Sequence, residues 1–257
     1  MFDSFVSRFN QKYRTIGFPK NQPHLPERFR GKPEWDPVAC ARAGSQCRAC
    51  AEACPTDAIS STRPVLEMDL GRCLFCTECG SACPQKAIRM GRDHELSVRR
   101  RDALLLKGHD PVLEKAEALK REMLRVFGRS LKLRQVSAGG CNGCEVDINV
   151  LNTIVFDLGR FGIQFVASPR HADGIVITGP VTANMKLALQ KTYDAVPTPK
   201  FVISVGACAI SGGPFRDHPE VNNGAEGMFP IDLYIPGCPP HPITILDGLL
   251  RLIGRKK

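Results

Sequence analysis

The spacing of hydrophobic positions divides the chain into regions of different kinds. In residues 1–35, apolar side chains recur at helical spacing, which predicts a short helix with one apolar face. Four prolines then predict an extended arm, which we interpret as a docking arm. We expect this apolar face to be buried, either against this chain's own domains or against a partner subunit or a membrane surface. Its members are Phe2, Val6, Phe9 and Tyr13.

A second helical pattern lies in residues 96–129, which we interpret as a linker. Asp110 is a capping residue, Pro111 suits a first helical turn, and Gly128 marks an end. The pattern therefore predicts a linker helix that ends at Gly128. Its apolar positions are Val112, Ala116, Leu119, Met123 and Val126.

From residue 130 to residue 257 the pattern alternates between short β-rich runs and helical stretches. Such alternation predicts an α/β domain with a mostly parallel sheet and helices on its faces. The predicted strands are Leu131–Val136, Ile163–Ala167, Gly174–Thr178, Lys200–Val205 and Asp232–Pro236.

The composition is that of a soluble globular chain with room for two modest domains, since 43% of its 257 residues are hydrophobic and 24% are charged. No apolar stretch approaches the roughly 18 residues of a spanning helix, and Met1–Asn10 lacks the order of a signal peptide. We therefore expect a cytoplasmic chain. The net charge of +9 suggests nucleic-acid binding, but one Trp, three Tyr and no base-stacking motif disfavour that hypothesis.

Twelve cysteines change this picture more than the charge does. In a compartment that keeps thiols reduced, they indicate metal or redox sites rather than a disulfide framework. Three 4Fe-4S clusters, each with a charge of about −2, would bring the net charge close to +3. Part of the basicity then offsets cluster charge.

Eight of these cysteines lie in an internal repeat. Residues 53–59 (ACPTDAI) return as residues 82–88 (ACPQKAI) after 29 positions. The second half has the Cys-x2-Cys-x2-Cys-x3-Cys-Pro spacing of bacterial ferredoxins, in which three cysteines ligate one cluster and the fourth ligates the other. This spacing resembles an α+β two-cluster bacterial ferredoxin domain, placed over residues 36–95. The expected ligands are Cys40, Cys47, Cys50 and Cys83 for the first cluster, and Cys54, Cys73, Cys76 and Cys79 for the second.

The first half of the repeat departs from that spacing. The offset from Cys73 falls on Gly44, which has no donor atom, and the nearest upstream cysteine is Cys40. We expect Cys40 to be a displaced ligand, because one turn over Ala41 to Ser45, which Asp36-Pro37 can start upstream, would bring Cys40 back toward the site. Two alternatives stay open: a first cluster that lacks one ligand, or a zinc site built from Cys47-x2-Cys50 and Cys76-x2-Cys79.

The other four cysteines are Cys141, Cys144, Cys208 and Cys238. Each of the three loops that carry them follows a predicted strand, so all four side chains should lie beyond the carboxyl edge of one parallel sheet. Four thiolates at that edge suit a third 4Fe-4S cluster.

The motifs of this domain resemble a known family, the small iron-sulfur subunit of membrane-bound, energy-converting nickel-iron hydrogenases of the formate hydrogenlyase type. The related 20 kDa subunit of complex I is similar, but it has adjacent cysteines where this chain has Cys141-x2-Cys144. The arm around residues 29–36 resembles the separate two-cluster subunit of the same complexes. The motifs are 138–145 (AGGCNGCE), 178–182 (TGPVT), 206–213 (GACAISGG) and 236–240 (PGCPP).

The resemblance implies a flavodoxin-like α/β fold and an electron-transfer subunit with three 4Fe-4S clusters. The cluster of the α/β domain would be the proximal one, facing a separate nickel-iron large subunit. The other implied partners are further hydrogenase or complex I-like subunits, membrane subunits among them, and an external redox donor or acceptor. The chain would then be peripheral, on the cytoplasmic side of the cell membrane, and would carry no nickel-iron catalytic site itself.

Two alternatives to this function stay open. One is a complex I-like or hydrogenase-related complex whose large subunit lacks nickel. The other is a soluble polyferredoxin carrier without an obligate partner. Two residues beside the proximal site are candidates for proton coupling, and each also has a simpler explanation: Glu145 as a complement to a helix dipole, and His241 as an exposed loop histidine.

Overall fold

The computed structural model describes residues 2–44, 46–62, 65–108, 113–119, 125, 127 and 130–256. Its α-helices are α1 (Phe2–Gln11), α2 (Pro37–Arg42), α3 (Ala49–Glu52), α4 (Glu78–Ala82), α5 (Gly143–Val150), α6 (Ala183–Ala195), α7 (Ala207–Ser211) and α8 (Pro242–Leu252). Short 3-10 helices cover Asp102–Leu104, Leu158–Phe161, Pro169–His171 and Gly213–Phe215. No described helix combines the length and the apolar character that crossing a bilayer requires.

The strands form three sheets. They are β1 (Pro33–Trp35), β2 (Ile59–Thr62), β3 (Val65–Asp69), β4 (Ile88–Met90), β5 (Leu105–Lys107), β6 (Leu131–Ser137), β7 (Ile163–Phe165), β8 (Gly174–Thr178), β9 (Phe201–Val205) and β10 (Leu233–Ile235). Strands β1 and β4 pair antiparallel, and β2, β3 and β5 form a three-stranded antiparallel sheet. The remaining strands form a five-stranded sheet in the order β10-β9-β8-β6-β7.

The five-stranded sheet confirms the predicted α/β pattern. All four of its strand pairs are parallel, and the predicted strands are found with ends within two residues of those expected. Every residue of β8 and β9 is buried, because helices and loops cover both faces of a parallel sheet.

The 29-residue repeat is visible in the backbone as well as in the sequence. Helices α3 and α4 begin 29 residues apart, as do strands β2 and β4. Asp57 and Lys86, also related by the offset, have left-handed φ values of 50° and 49°. The repeat therefore folds as two copies of one loop-helix-strand unit.

Two strands outside residues 36–95 complete the ferredoxin sheets. β1 lies in the arm and pairs with β4, while β5 lies in the expected linker and pairs with β3. The ferredoxin unit is therefore larger than its cysteine pattern indicates.

The predicted linker helix is wrong over residues 113–119, which have no regular structure. Their backbone amides bond to other segments instead: Ala116 donates to Ser97 O and Leu119 to Leu252 O. Leu113, Ala116 and Leu119 are buried, so tertiary packing overrides the local helical pattern. Arg125 and Phe127 have helical backbone, and residues 109–112, 120–124, 126 and 128 lie outside the described residues.

The arm packs on this chain's own domains after residue 14. Phe18 and Phe29 are buried in the core of the α/β domain, and Arg160 donates to the carbonyls of Ile16 and Phe18. Helix α1 behaves differently, because its side chains from Asp3 onward are exposed, with Phe9 at 85% exposure. The part of the chain that the structure describes therefore leaves Val6, Phe9 and Tyr13 of the predicted apolar face uncovered.

The two domains share a continuous interface. Val98 and Tyr234 form a β-bridge, with amide-to-carbonyl distances of 2.9 and 3.1 Å. Arg101, which binds both carboxylate oxygens of Asp69 at 2.8 and 2.6 Å, also pairs with Glu226 at 3.9 Å, and Ser211 Oγ donates to Gly71 O at 2.9 Å. The hydrophobic core of the ferredoxin domain thus continues into the α/β domain, where it includes Ile210 and Tyr234.

A buried ionic cluster adds to this interface. Glu95 accepts from Arg251 at 2.9 Å, from Lys256 at 2.6 Å and from Lys115. Asp247, which is fully buried, accepts from Arg251 at 2.9 Å and from Lys256 at 2.6 Å. We call these five residues the ionic clamp, since they join the ferredoxin domain, the 113–119 segment and α8.

Glu95 is ionised within this clamp. Burial alone would raise its pKa, but hydrogen bonds from Lys115 and Lys256 outweigh burial and lower the pKa to about 2. A carboxyl with a depressed pKa contributes stability above its unfolded-state pKa of about 4.3 and loses it as the pH falls through the folded value. The contribution of Glu95 is therefore complete at pH 7.

We predict that Glu95→Gln lowers the local stability of α8 at pH 7, because Arg251 would keep a buried charge with fewer partners. The expected loss is about 2 kcal/mol, or roughly 30-fold in amide exchange protection, measured by hydrogen exchange on the intact protein. Glu34→Gln is the control, since its partner Arg89 is exposed and the pair contributes about 1 kcal/mol or less. Equal effects of the two substitutions would contradict a role for the clamp.

Candidate metal centres

The four cysteines of the α/β domain meet at the carboxyl edge of the parallel sheet. Cys141 and Cys144 lie where β6 leads into α5, Cys208 lies on α7 directly after β9, and Cys238 follows β10. All four line one small cavity. The structure therefore brings together the set that the strand pattern predicted.

These thiols are close enough to influence one another. Burial, followed by Cys238 and Cys141, raises the pKa of Cys208 to about 12. Burial and then Cys208 raise the pKa of Cys144, and burial and then Cys141 raise that of Cys238. Four thiolates at this spacing need a positive centre to neutralise them, and metal-bound thiols are deprotonated.

Gly206 allows the closest approach of backbone to a sulfur at this site. It has a φ of +90°, and a Cβ atom built on it would lie 2.5 Å from Cys144 Sγ. Its amide donates to Ile235 O, and the next amide, of Ala207, donates to Gly237 O. These bonds join the Cys208 loop to the Cys238 loop.

Glu145 lies in the first turn of α5 and turns inward. Its side chain is buried and accepts a hydrogen bond of 2.7 Å from Thr178 Oγ1. It makes no capping bond, although its position still complements the helix dipole. Apart from its place in the 178–182 motif, nothing in the sequence pattern indicates Thr178 as a partner of Glu145.

His241 is not the exposed loop histidine of the simpler explanation. It is half-buried, its Nδ1 accepts from the amide of Ile243 at 3.1 Å, and it thereby caps α8. Its ring meets that of Phe29 edge-on, with 5.4 Å between the centroids. Burial, together with His94, lowers the pKa of His241.

In the ferredoxin domain, Cys54, Cys73, Cys76 and Cys79 lie near one another. Burial raises the pKa of Cys73 to about 12, and the nearby Cys79, Cys54 and Cys76 add to the effect. Burial and then Cys76 raise the pKa of Cys79 to about 11. The grouping matches the ligand set expected for the second cluster.

Cys40 lies with the other group of ferredoxin cysteines. Burial raises the pKa of Cys50, and Cys40 and Cys83 are the next largest causes. Asp36-Pro37 does start a helix, α2, which Asp36 caps by accepting from Val38 N at 2.8 Å, whereas Ser45, the end of the expected turn, lies outside the described residues. The structure thus places Cys40 beside Cys50 and Cys83.

Cys47 lies three residues before Cys50, and its amide donates to Gly44 O at 3.4 Å. The backbone also donates to the sulfur atoms in the same way in both halves of the repeat. The amide of Ala58 donates to Cys54 Sγ at 3.2 Å, and that of Ala87 to Cys83 Sγ at 3.3 Å. Such bonds favour the charged form of a sulfur ligand.

A single metal ion and a cluster need different spacings of their sulfur ligands. In a tetrahedral zinc site with Zn–S bonds of about 2.3 Å, the sulfur atoms lie only about 3.8 Å apart, whereas in a 4Fe-4S cube each cysteine binds a different iron. Among the described residues, which include all twelve cysteines, no three cysteine sulfurs lie within 4.8 Å of one another.

The two cysteine-bearing domains approach each other at these sites. Cys76 of the ferredoxin domain contributes, after burial and Cys141, to the raised pKa of Cys238. Arg30 of the arm donates to Phe75 O at 3.0 Å and lines a cavity that also includes Cys238. The cysteine pattern gave no indication that the arm reaches this junction.

One other group of potential ligands is found among the described residues. Side-chain atoms of His94, Glu95 and Asp247 lie within 4.8 Å of one another. Between them, the carboxylates of Glu95 and Asp247 already pair with the three cations of the ionic clamp. A metal ion would therefore meet a group whose net charge is positive. We interpret this group as part of the clamp rather than as a metal site.

We predict that Gly206→Ala impairs metal loading of the α/β domain, because the new methyl group would displace Cys144 Sγ. Iron and acid-labile sulfide per anaerobically purified chain should fall, while the ferredoxin domain keeps its share. Gly159→Ala is the matched control, since its Cβ would meet only Asp157 Oδ1 at 3.9 Å. Full metal content in Gly206→Ala would show that the site tolerates a wider Cys144 loop.

Comparisons with known proteins agree with this arrangement. Residues 141–252 match the family model described as NADH ubiquinone oxidoreductase, 20 Kd subunit, and residues 45–87 match that of a 4Fe-4S dicluster domain. Formate hydrogenlyase subunit 7 of Escherichia coli (strain K12) is 43% identical over 141 residues, which is 55% of each chain. This chain thus spans about half the length of that relative.

Two further similarities extend to archaeal proteins. The probable membrane-bound hydrogenase subunit mbhJ of Pyrococcus furiosus is 40% identical over 129 residues, or 50% of this chain and 77% of the relative. The second is a chain in the structure of the membrane-bound sulfane sulfur reductase, an archaeal respiratory membrane complex. Its sequence is 33% identical, and the match covers 52% of this chain and 75% of that chain, with a TM-score of 0.46. With over two thirds of the Pyrococcus relative covered at 40% identity, the chain belongs to the family of the 20 kDa subunit of NADH ubiquinone oxidoreductase and carries a 4Fe-4S dicluster domain ahead of it.

Proposed function

We propose that this chain is the electron-transfer subunit of a membrane-associated, hydrogenase-type oxidoreductase complex. The observation that carries the proposal is that the loop between Cys73 and Cys76 meets the Cys238 loop: Leu74 and Phe75 line one cavity with Cys238, and Cys76 adds to the raised pKa of Cys238. A chain that only stored metal would have no need to align its sites in this way. Its family membership agrees with a redox role.

The twelve cysteines would hold three 4Fe-4S clusters. When bound, each cluster supplies reversible one-electron oxidation and reduction. The chain's own loops bring the cysteines together in groups, and backbone amides donate to the sulfur atoms of Cys54, Cys73 and Cys83. The ligand sets are Cys40, Cys47, Cys50 and Cys83; Cys54, Cys73, Cys76 and Cys79; and Cys141, Cys144, Cys208 and Cys238.

We also infer a flavodoxin-like fold for the domain over residues 130–257. Numbered from β6, its strand order is 2-1-3-4-5, which is the order of flavodoxin-like sheets, and such folds bind their groups at the carboxyl edge. The arm, the ferredoxin unit and the linker precede it, with β1 and β5 assigned to the ferredoxin unit.

The partner at the proximal site would be a separate large subunit with a nickel-iron centre. Cys141 and Cys238 are exposed at the cavity mouth, which suits a site that a second protein covers. The Cys141-x2-Cys144 spacing favours the hydrogenase branch of the family. The further partners would be membrane subunits and an external redox protein, with the complex on the cytoplasmic side of the membrane.

A nickel-free, complex I-like complex is the second candidate, and the description of the matching family model favours it. A soluble polyferredoxin carrier fits less well, because the α/β domain is larger than cluster binding requires. For Glu145 and His241, the contacts support positioning roles: Glu145 holds α5 to Thr178, and His241 starts α8 beside Cys238.

We predict that Cys40→Ala converts the first ferredoxin cluster to a three-iron form, because the cube would lose the thiolate at one corner. EPR of the oxidised protein should show a three-iron signal, and iron should fall from about twelve to about eleven per chain. Val38→Ala, on the exposed side of the same helix, is the control. Unchanged four-iron spectra in Cys40→Ala would show that the ligand lies elsewhere.

We predict that Cys141→Ser abolishes hydrogen turnover by the intact complex while the large subunit keeps its nickel, because electrons could no longer pass the proximal site. Hydrogen evolution and nickel content are measured on the same purified complex. A complex that contains no nickel but reduces quinone would support the complex I-like candidate instead.

A further inference from the structure

Helix α1 presents an apolar face that no described part of this chain covers. Phe5, Val6 and Phe9 are 70%, 44% and 85% exposed, and Tyr13, just beyond the helix, is 80% exposed. At 3.6 residues per turn, the three helical side chains fall within an arc of about 100°. The opposite side carries Ser4, Ser7 and Gln11. The helix is therefore cleanly amphipathic.

Basic residues border this face. Arg8 lies beside Phe5 on the helix surface, and its guanidinium carbon stands 4.3 Å from the centroid of the Tyr13 ring. Lys12 and Arg14 stand on either side of Tyr13 in the sequence. Asp3 is the one acidic residue in positions 2–20. Positive charge next to exposed aromatic rings is complementary to a partner surface that carries negative charge on its outer layer and is apolar below that layer.

The junction of α1 with the body of the chain carries more exposed apolar side chains. Thr15 Oγ1 donates to Ile154 O at 2.7 Å, and the amide of Ile16 donates to Val155 O at 2.9 Å. Ile154 is 70% exposed and Val155 is 40% exposed. The helix is therefore fixed at its base to a second apolar surface, in the loop that follows α5.

We propose that α1 lies in the interface of an anionic lipid bilayer, with its apolar face among the acyl chains and Arg8, Lys12 and Arg14 at the phosphate headgroups. Short amphipathic helices with aromatic residues on one face and basic residues beside it bind membranes in this orientation. The basic residues distinguish a lipid surface from a purely apolar protein groove, because each contributes attraction to anionic lipid. The proposal is independent of the ligand assignments above.

The test is sedimentation of the anaerobically purified, cluster-loaded chain with vesicles of phosphatidylcholine alone or mixed with phosphatidylglycerol. We expect binding to the mixed vesicles that weakens with salt, and little binding to phosphatidylcholine. Phe5→Ser with Phe9→Ser should abolish it. Arg8→Gln with Lys12→Gln should weaken it roughly tenfold or more.

Matched controls come from α6, which also has exposed residues. Leu187→Ser removes an apolar side chain that is 64% exposed, and Lys186→Gln with Lys191→Gln removes two exposed charges. Both controls should bind mixed vesicles as the unchanged chain does. Iron content should be equal in all variants, which separates failure of this proposal from failure of the cluster assignment.

Three results would overturn the proposal. One is binding that does not depend on phosphatidylglycerol or on Phe5 and Phe9. Another is self-association of the chain that the two Phe substitutions abolish, which would make a second copy the occupant. The third is that the chain attaches to a membrane subunit through α1 in a complex from which lipid has been removed, while the isolated chain does not bind vesicles.

Discussion

Thiols that lie close together in a partly buried site cannot all ionise unless a positive centre neutralises them, and this constraint shapes most of the structure. Burial and neighbouring cysteines raise the thiol pKa values at Cys73, Cys79 and Cys208 to between about 11 and about 12. The backbone nevertheless holds the cysteines in groups, and it directs amides at the sulfur atoms of Cys54 and Cys83. Four thiols in a group are the number that one 4Fe-4S cube binds, with each cysteine on a different iron.

Electron transfer along the chain depends on a fixed distance between its two domains. The β-bridge between Val98 and Tyr234, the Arg101–Glu226 pair and the ionic clamp around Glu95 all cross that interface. They join the domains where Cys76 approaches Cys238. The arm adds contacts at the same junction through Phe29 and Arg30. Stability and function thus rest on the same contacts.

The sequence predicted those parts of the fold that local pattern determines. The 29-residue repeat, the five parallel strands and the helix start at Asp36-Pro37 are all present, because spacing, strand alternation and capping residues encode them directly. The linker helix was wrong over residues 113–119, where hydrogen bonds to Ser97 and Leu252 replace helical ones. The inward-facing Lys256 and the cap role of His241 were also missed, because both depend on residues distant in sequence.

The central claim is that three iron-sulfur clusters lie in a row, held by the three ligand sets named above. Iron-edge anomalous diffraction from anaerobically grown crystals tests it most directly. The account predicts three separate anomalous peaks, one among Cys40, Cys47, Cys50 and Cys83, the next beside Cys76, and the last beside Cys238. Fewer than three iron peaks, or peaks that appear at the zinc edge instead, would contradict it.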